Sequence, residues 1–187
     1  MQCEIRDCVQ PAIYHLAWIT SRHCDREQHL CETHAEPILT GLSFPRGEAE
    51  KSIAKDGARG FDVALIIISE THDQQVVYLR ELGCNRVIPL LIGIFEATAL
   101  DRNVKGVRAP RPLTHDAMIE LIRTLDGEIE SAVIADLKDQ VYYTNLNIRR
   151  FNQIVSVDMR PSDALNLVVL ANKPLFIAEH VLSNVGI

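Results

Sequence analysis

The sequence has no long apolar run. The longest, residues 87–95, has nine residues and contains Pro89 and Gly93, whereas a helix that crosses a bilayer needs about 20 apolar residues. We therefore expect no membrane partner. The N-terminal residues also lack the apolar core of a secretory signal peptide, so we expect a cytoplasmic protein whose cysteines stay reduced.

The sequence has no excess of positive charge either. Its 187 residues include 19 Lys and Arg against 25 Asp and Glu, a formal net charge of -6. Proteins that coat nucleic acid non-specifically bind phosphate through clustered basic side chains. Broad electrostatic capture of nucleic acid is therefore excluded, and any nucleic-acid site must be local. With 47% apolar residues, a chain of this length favours one main core with at most a small appendage.

Cysteine and histidine are concentrated at the N-terminus. Cys3 and Cys8 form one pair with four residues between them, and Cys31 and His34 form another with two between them. Two close pairs of such ligands are typical of structural zinc, which binds four Cys or His side chains in a tetrahedron. The pattern predicts a small zinc-binding module at residues 1–36 with a structural or docking role, because four protein ligands leave no position for a water nucleophile.

One member of this quartet is open to substitution. The spare donors are His15, His23, Cys24 and His29, of which Cys24 fits best as a replacement. The segment between the pairs, residues 9–30, is expected to form a β-hairpin. The alternative is a set of unligated thiols in a flexible tail, although about 35 residues bury too little surface to fold unaided. Residues 37–60 combine Pro, Gly and alternating charges and predict a linker, with one loose helical turn at residues 49–54.

The main domain, residues 61–187, contains an internal repeat with an offset of 67 residues. Apolar, β-branched runs between short polar turns predict strands, and each copy gives three strands followed by a helix, with Glu96 and Asp163 at matching helix starts. A three-stranded unit leaves unpaired sheet edges, which pairing of the copies would satisfy. We predict an α+β fold in which duplicated β3-α2-type units form one curved, barrel-like mixed sheet with helices outside.

Seven polar side chains of this domain fall at strand ends and helix starts: Glu96, His115, Asp116, Asp158, Arg160, Ser162 and Asp163. Carboxylates gathered with a His and an Arg are what metal-dependent phosphodiester hydrolysis requires. The acids bind Mg²⁺ or Mn²⁺ through oxygen, the ion activates water, and the guanidinium neutralises phosphate charge. Each residue also has a structural explanation, with Thr114 as an N-cap and Pro161 in a first helical turn that favours acids.

Three segments carry a resemblance to a known family: IPLLIGIFEATAL (88–100), RPLTHDAMIELI (111–122) and VDMRPSDALNL (157–167). In order and spacing they resemble the bifunctional nuclease domain family, whose bacterial and plant members are described as acting on both DNA and RNA. The resemblance implies an α+β fold with a barrel-like sheet, self-association, and a site at the same seven polar residues. The sequence departs from the family pattern at the turn of residues 138–140, where a glycine is expected and none is present. The N-terminal module lies outside the shared domain.

We therefore predict a cytoplasmic, metal-dependent nuclease with nucleic acid as its substrate. We expect its metal ligands to be Glu96, Asp158 and Asp163. His115 is expected to be a general acid or base oriented by Asp116, and Arg160 to hold the phosphate.

The alternative is a non-catalytic ligand-binding or assembly module whose zinc-stabilised N-terminus docks a partner. Acidic residues outnumber basic ones in residues 1–60 and in residues 61–187, which favours this alternative. Unpaired sheet edges and an apolar C-terminal helix predict a homodimer or higher homo-oligomer; the apolar residues of that helix are Val181, Leu182, Val185 and Ile187.

Overall fold

A computed structural model describes residues 1–42, 44 and 54–184. The strands are β1 (Tyr14–Thr20), β2 (His23–Leu30), β3 (Ala54–Lys55), β4 (Ala58–Ser69), β5 (Gln74–Glu81), β6 (Val87–Gly93), β7 (Gly127–Lys138), β8 (Val141–Arg150), β9 (Gln153–Met159) and β10 (Leu175–Ala178). The helices are α1 (Glu32–Thr40), α2 (Ile94–Val104), α3 (Thr114–Thr124), α4 (Pro161–Leu170) and α5 (Glu179–Asn184). None of these helices is long and apolar enough to cross a membrane.

All ten strands belong to one sheet. The hydrogen-bonded order is β2-β1-β4-β10-β7-β8-β9, while β5 and then β6 extend from β4, and β3 pairs with the start of β4. Every pair is antiparallel except β10 with β7. The predicted α+β class with a mixed sheet is confirmed, but the predicted barrel-like closure is wrong, because β6 and β9 do not pair among the described residues. Pro89 in β6 suits an edge strand because it has no N–H to donate.

Strand β4 joins the N-terminal hairpin to the rest of the sheet. Its first half pairs with β10 and its second half with β1, and β5 occupies the opposite edge. Its apolar run is unbroken because both faces are covered. A bulge between Val63 and Leu65 shifts the alternation, so that Val63 and Ile66 face one core and Leu65 and Ile67 the other.

The N-terminal hairpin therefore continues the main sheet. The predicted hairpin within residues 9–30 corresponds to β1 and β2, and α1 extends into the predicted linker as far as Thr40. Residues 43 and 45–53, which include most of the helical turn predicted at 49–54, lie outside the described residues.

Two apolar cores lie on opposite faces of the sheet. The larger packs the sheet against α2–α5 and includes Phe61, Leu100 and Leu165; the smaller packs α1 and the N-terminal loop against β1, β2 and β4. Val181 and Leu182 of α5 are each 1% exposed in the larger core. Their apolar character thus reflects internal packing rather than the subunit contact predicted for this helix, while Val185 and Ile187 lie outside the described residues.

The internal repeat appears as two copies of the same element order, β4-β5-β6-α2 and β7-β8-β9-α4. The predicted sequence of three strands and a helix is therefore confirmed in both copies. Helices α2 and α4 pack against each other, and β10 bridges the copies in the sheet by pairing with both β4 and β7. The turn without glycine is formed by Asp139 and Gln140, both with positive φ (49° and 64°), the backbone that tight hairpins require.

Candidate active site and metal cluster

The first turns of α2 and α4 supply the acids of the candidate site. Helix α2 follows its N-cap Gly93 directly, and α4 follows its N-cap Arg160 with Pro161 in the first turn. Each helix continues the third strand of its repeat, and the two helices pack together. Glu96 and Asp163, the first-turn acids of these helices, are consequently brought to one place, as the repeat predicted.

Arg160 bridges the two carboxylates. Its Nη2 lies 2.8 Å from Glu96 Oε1, and its Nε and Nη2 donate to the two oxygens of Asp163 at 2.8 and 3.2 Å. The pKa of Arg160 is raised by Asp163 and further by Glu96. The Arg160 side chain is 67% exposed, whereas those of Glu96 and Asp163 are 15% and 23% exposed. A solvent-facing guanidinium thus covers two largely buried acids.

His115 lies beside this group. It is the second residue of α3 and is buried, with its Nε2 3.5 Å from Asp163 Oδ1. Asp116, expected to orient this imidazole, instead accepts a hydrogen bond from the backbone N–H of Leu113 at 2.9 Å. Leu113 is the N-cap of α3, so the expectation that Thr114 caps this helix is wrong, and the carboxylate of Asp116 satisfies the free N–H.

Asp158 and Ser162 line a groove next to Arg160. The groove has a volume of about 660 Å³ and lies between β6 on one side and β8 with the end of β9 on the other. Its walls include Gly93, Arg160, Tyr142 and Tyr143. Asp158 is exposed there, and Ser162 is 7% exposed. The groove gives a ligand access to Arg160 from solvent.

Gly93 is a site residue that the motif reading did not single out. A Cβ atom at this position would lie 2.5 Å from Glu96 Oε2, well inside van der Waals contact. Glycine therefore leaves the space that the Glu96 carboxylate occupies beside Arg160.

Asn166 is the second such residue. It is fully buried in α4, and its Nδ2 donates to the backbone carbonyls of Glu96 at 3.1 Å and Ser162 at 3.0 Å. Its Oδ1 accepts from Asn103 Nδ2 at 3.0 Å. Asn166 thus connects α4 to the helix that carries Glu96. The signal in the sequence was an amide among apolar residues, LNLVVL (165–170), where a buried polar group needs partners.

These residues lie in a part of the chain that matches a known family. A family model described as "Bifunctional nuclease domain" matches residues 77–187, more than half of the chain. The chain belongs to the bifunctional nuclease domain family. The match begins within β5 and contains all seven candidate site residues, whereas the Cys/His cluster and strands β1–β4 precede it.

Relatives of this bifunctional nuclease domain differ in how much of their length they share with it. An uncharacterized protein of Mycobacterium tuberculosis (strain H37Rv) is 34% identical over 122 residues, which are 65% of this chain and 73% of that protein. Bifunctional nuclease 1 of Oryza sativa subsp. japonica is 21% identical over 60% of this chain, and Bifunctional nuclease 2 of the same plant is 23% identical over 64%. The chain spans 35% and 38% of these two plant proteins.

The N-terminal quartet outside the nuclease domain does converge. The ligand atoms of the four residues lie within 4.8 Å of one another: Cys3, Cys8, Cys31 and His34. Cys8 Sγ and Cys31 Sγ are 3.8 Å apart, and His34 Nδ1 lies 3.4 Å from Cys3 Sγ and 3.2 Å from Cys31 Sγ. Tetrahedral zinc with the usual bond lengths separates its ligand atoms by about 3.6 to 3.8 Å. The quartet could therefore hold a metal ion of this size.

Local structure explains the convergence. Cys31 is the N-cap of α1, and His34 lies in the first turn of that helix, while Cys3 and Cys8 lie in the N-terminal loop. Burial acts to raise the pKa of Cys3, but hydrogen bonds from backbone N–H groups of Cys31 and Ile5 and from His34 lower it to about 6. A thiol with this pKa is largely ionised at neutral pH, as a metal ligand must be. Cys24, the alternative ligand, is not part of the quartet.

The acids of the nuclease domain are arranged differently. Within the described part of the chain, His, Cys, Asp and Glu ligand atoms gather in two groups of three or more, and neither contains Glu96, His115 or Asp163. The guanidinium of Arg160 lies between the two carboxylates instead. Their oxygens are nevertheless of the chemical type that Mg²⁺ and Mn²⁺ bind.

Proposed function

We propose that the protein is a nuclease that hydrolyses phosphodiester bonds of DNA, RNA or both. Membership of the bifunctional nuclease domain family supports this proposal. The observation that carries the site assignment is the contact of the exposed Arg160 guanidinium with Glu96 and Asp163, beside the buried His115 and at the rim of a groove.

Arg160 is proposed to bind the scissile phosphate. A guanidinium presents a planar fork of N–H donors that fits a phosphate as well as a carboxylate. Because Arg160 is exposed towards the groove, a phosphate that enters competes with Glu96 and Asp163 for the same donors. Transfer of Arg160 to the phosphate would place positive charge on the substrate and release carboxylate oxygens at the same time.

Glu96 and Asp163, together with Asp158 in the groove, are proposed to hold a divalent ion, Mg²⁺ or Mn²⁺. When bound, such an ion activates water and neutralises the developing charge on phosphate. The acidic excess of the chain is compatible with this role, because acids that bind an ion are neutralised by it. Ser162, buried at the first turn of α4, lines the groove beside them.

His115 is proposed to act as a general acid or base through its imidazole ring. Its Nε2 lies 3.5 Å from Asp163 Oδ1, so Asp163 holds the ring in place, and Asp116 supports it indirectly by capping α3. Histidine suits the task because its usual pKa lies near neutral pH.

The proposal is tested with protein purified free of contaminating nuclease and incubated with single-stranded DNA and RNA in Mg²⁺ or Mn²⁺. Glu96→Gln and Asp163→Asn preserve shape while removing charge, and each is expected to lower cleavage by about 100-fold or more. Glu120→Gln on the exposed side of α3 is the matched control and should cleave like the wild type. Unchanged cleavage by both site variants would show that the site is assigned wrongly.

A non-catalytic ligand-binding or assembly module is the second candidate. The observation that favours it is the contact of Arg160 with both helices, since this contact also ties α2 to α4 without any substrate. This candidate predicts that the wild type cleaves neither nucleic acid in any divalent ion, and that Arg160→Gln mainly lowers the free energy of unfolding.

We further propose a homodimer or higher homo-oligomer that forms through β9. This strand ends the sheet, and nearly all of its residues are exposed on both faces; the exposed apolar ones are Ile154, Val155 and Val157. Multi-angle light scattering should give a mass above that of one chain, and Val155→Lys should reduce it to that of a monomer. A Val155→Lys protein that keeps the wild-type mass would exclude this surface.

We also propose that the N-terminal quartet binds a structural Zn²⁺. The ligand spacing and the lowered pKa of Cys3 support this assignment, and four protein ligands make a closed site without catalysis. Cys31→Ser should lose one zinc ion per chain, and a zinc content that this substitution leaves unchanged would exclude the assignment.

A further inference from the structure

A second group of metal-binding side chains lies on the N-terminal hairpin. His15 of β1 and His29 of β2 are directly paired across the strands, and their Nδ1 atoms are 3.2 Å apart. Glu27 Oε1 lies 3.4 Å from His15 Nδ1 and 3.0 Å from His29 Nε2. A ligand atom from each of these three residues lies within 4.8 Å of the others.

Asp101 of α2 and Lys105, the C-cap of that helix, complete the surroundings. Asp101 Oδ1 is 3.1 Å from His15 Nε2. The ammonium group of Lys105 lies 2.9 Å from Glu27 Oε2 and 2.8 Å from Asp101 Oδ2. Metal-binding histidines commonly donate their second ring N–H to a carboxylate in this way, which orients the ring and raises its basicity.

One ring nitrogen of this group has two neighbours that make opposite demands on it. Nε2 of His15 lies 3.1 Å from the acceptor Asp101 Oδ1 and 3.2 Å from the donor Lys105 Nζ. One ring nitrogen either carries a proton or accepts one, so it cannot serve both neighbours. A metal ion on Nδ1 would place the proton on Nε2, where it is donated to Asp101, while Lys105 is held by the two carboxylates.

We propose that His15, Glu27 and His29 form a second metal site that binds a divalent transition-metal ion such as Zn²⁺, with Asp101 as a positioning residue. Two imidazole nitrogens and one carboxylate oxygen suit Zn²⁺, Mn²⁺ or Fe²⁺, whereas Mg²⁺ and Ca²⁺ prefer oxygen ligands alone. The histidine side chains are 17% and 18% exposed and that of Glu27 is 38% exposed, so an ion can enter from solvent.

The position of the site indicates what the ion would do. The hairpin supplies the three ligands, and α2, which carries Glu96 in its first turn, supplies Asp101 and Lys105 from its C-terminal end. A bound ion would therefore fasten the N-terminal hairpin to the helix that positions the candidate active site. The inference does not depend on nuclease activity.

The experiment measures the zinc content of the full-length chain after equilibrium dialysis against Zn²⁺ with excess Mg²⁺, which competes for all-oxygen sites. We expect two zinc ions per wild-type chain, one in His29→Gln, one in Cys31→Ser and none in the double variant. His23→Gln, an exposed histidine on the same strand, should retain two. Asp101→Asn should bind the second ion about 10- to 100-fold more weakly.

Cobalt substitution separates the two sites independently of stoichiometry. Co²⁺ bound by the Cys quartet gives a thiolate charge-transfer absorption, and Co²⁺ bound by two histidines and a carboxylate does not. Cys31→Ser loaded with Co²⁺ should therefore show only ligand-field bands. These bands should disappear when Glu27→Gln is added to Cys31→Ser. A wild type that binds a single zinc ion, which Cys31→Ser loses and His29→Gln keeps, would overturn the proposal. So would a folded His29→Gln or Glu27→Gln protein that still binds two.

Discussion

The amide of Asn166 is predicted to stabilise the fold more than any exposed residue of the site. Replacement by leucine keeps the approximate volume but removes three hydrogen bonds, those with Glu96 O, Ser162 O and Asn103 Nδ2. A buried hydrogen bond contributes about 1 kcal/mol net. Asn166→Leu should therefore lower the free energy of unfolding by about 3 kcal/mol, and the melting temperature by about 6 to 12 °C for a chain of this size.

A matched variant isolates the part that belongs to the helix pair. Asn103→Ala removes only the hydrogen bond to Asn166 Oδ1 and should lower the free energy of unfolding by about 1 kcal/mol. Urea unfolding followed by circular dichroism measures both values. Equal losses in the two variants would refute the reasoning, because the bonds from Asn166 to the backbones of Glu96 and Ser162 would then contribute nothing.

Two further predictions concern residues at the two ends of α2. Gly93→Ala should push the Glu96 carboxylate away from Arg160. Cleavage should fall by about 10- to 100-fold, with little change in melting temperature. Full activity of the variant would contradict the steric argument. Burial acts to raise the pKa of Asp101, but hydrogen bonds from His15 and Lys105 hold it below its usual value. Its stabilisation should be present above pH about 3.9 and disappear as the pH falls through the lowered pKa. Urea unfolding should thus give Asp101→Asn a lower free energy of unfolding than the wild type at pH 7 and an equal one in strong acid. A difference that does not change with pH would contradict this role of the ionised carboxylate.

Much of the fold is encoded in local patterns. Apolar runs between polar turns marked the strands of both repeats, and Pro161 marked the start of α4. The internal repeat was the most informative feature, because equivalent helix starts in two packed copies bring Glu96 and Asp163 together. The quartet of Cys3, Cys8, Cys31 and His34 was predictable for a similar reason, since the N-terminal loop and the start of α1 each supply a close pair.

The remaining features depend on contacts that spacing does not encode. The pairing of β1 with β4 joins segments about 50 residues apart, and nothing in either run specifies that partner. The hydrogen-bond partner of Asp116 depends on local backbone geometry: its carboxylate caps α3 by accepting from Leu113 N–H and does not orient His115. His15 and His29 are 14 residues apart, a spacing without a metal-binding signature, and only the register of the hairpin places them side by side.

The place of β10 in the sheet has a consequence for the order in which the protein folds during synthesis. The repeats are linked in the sheet by β10, whose Leu175 pairs with Phe61 of β4 and with Ala132 of β7. Hairpins within each repeat can form as soon as they leave the ribosome, but contacts across more than 100 residues form late and slowly. A nascent chain that already contains every candidate site residue must therefore wait for residues 175–178 before its two halves join in one sheet.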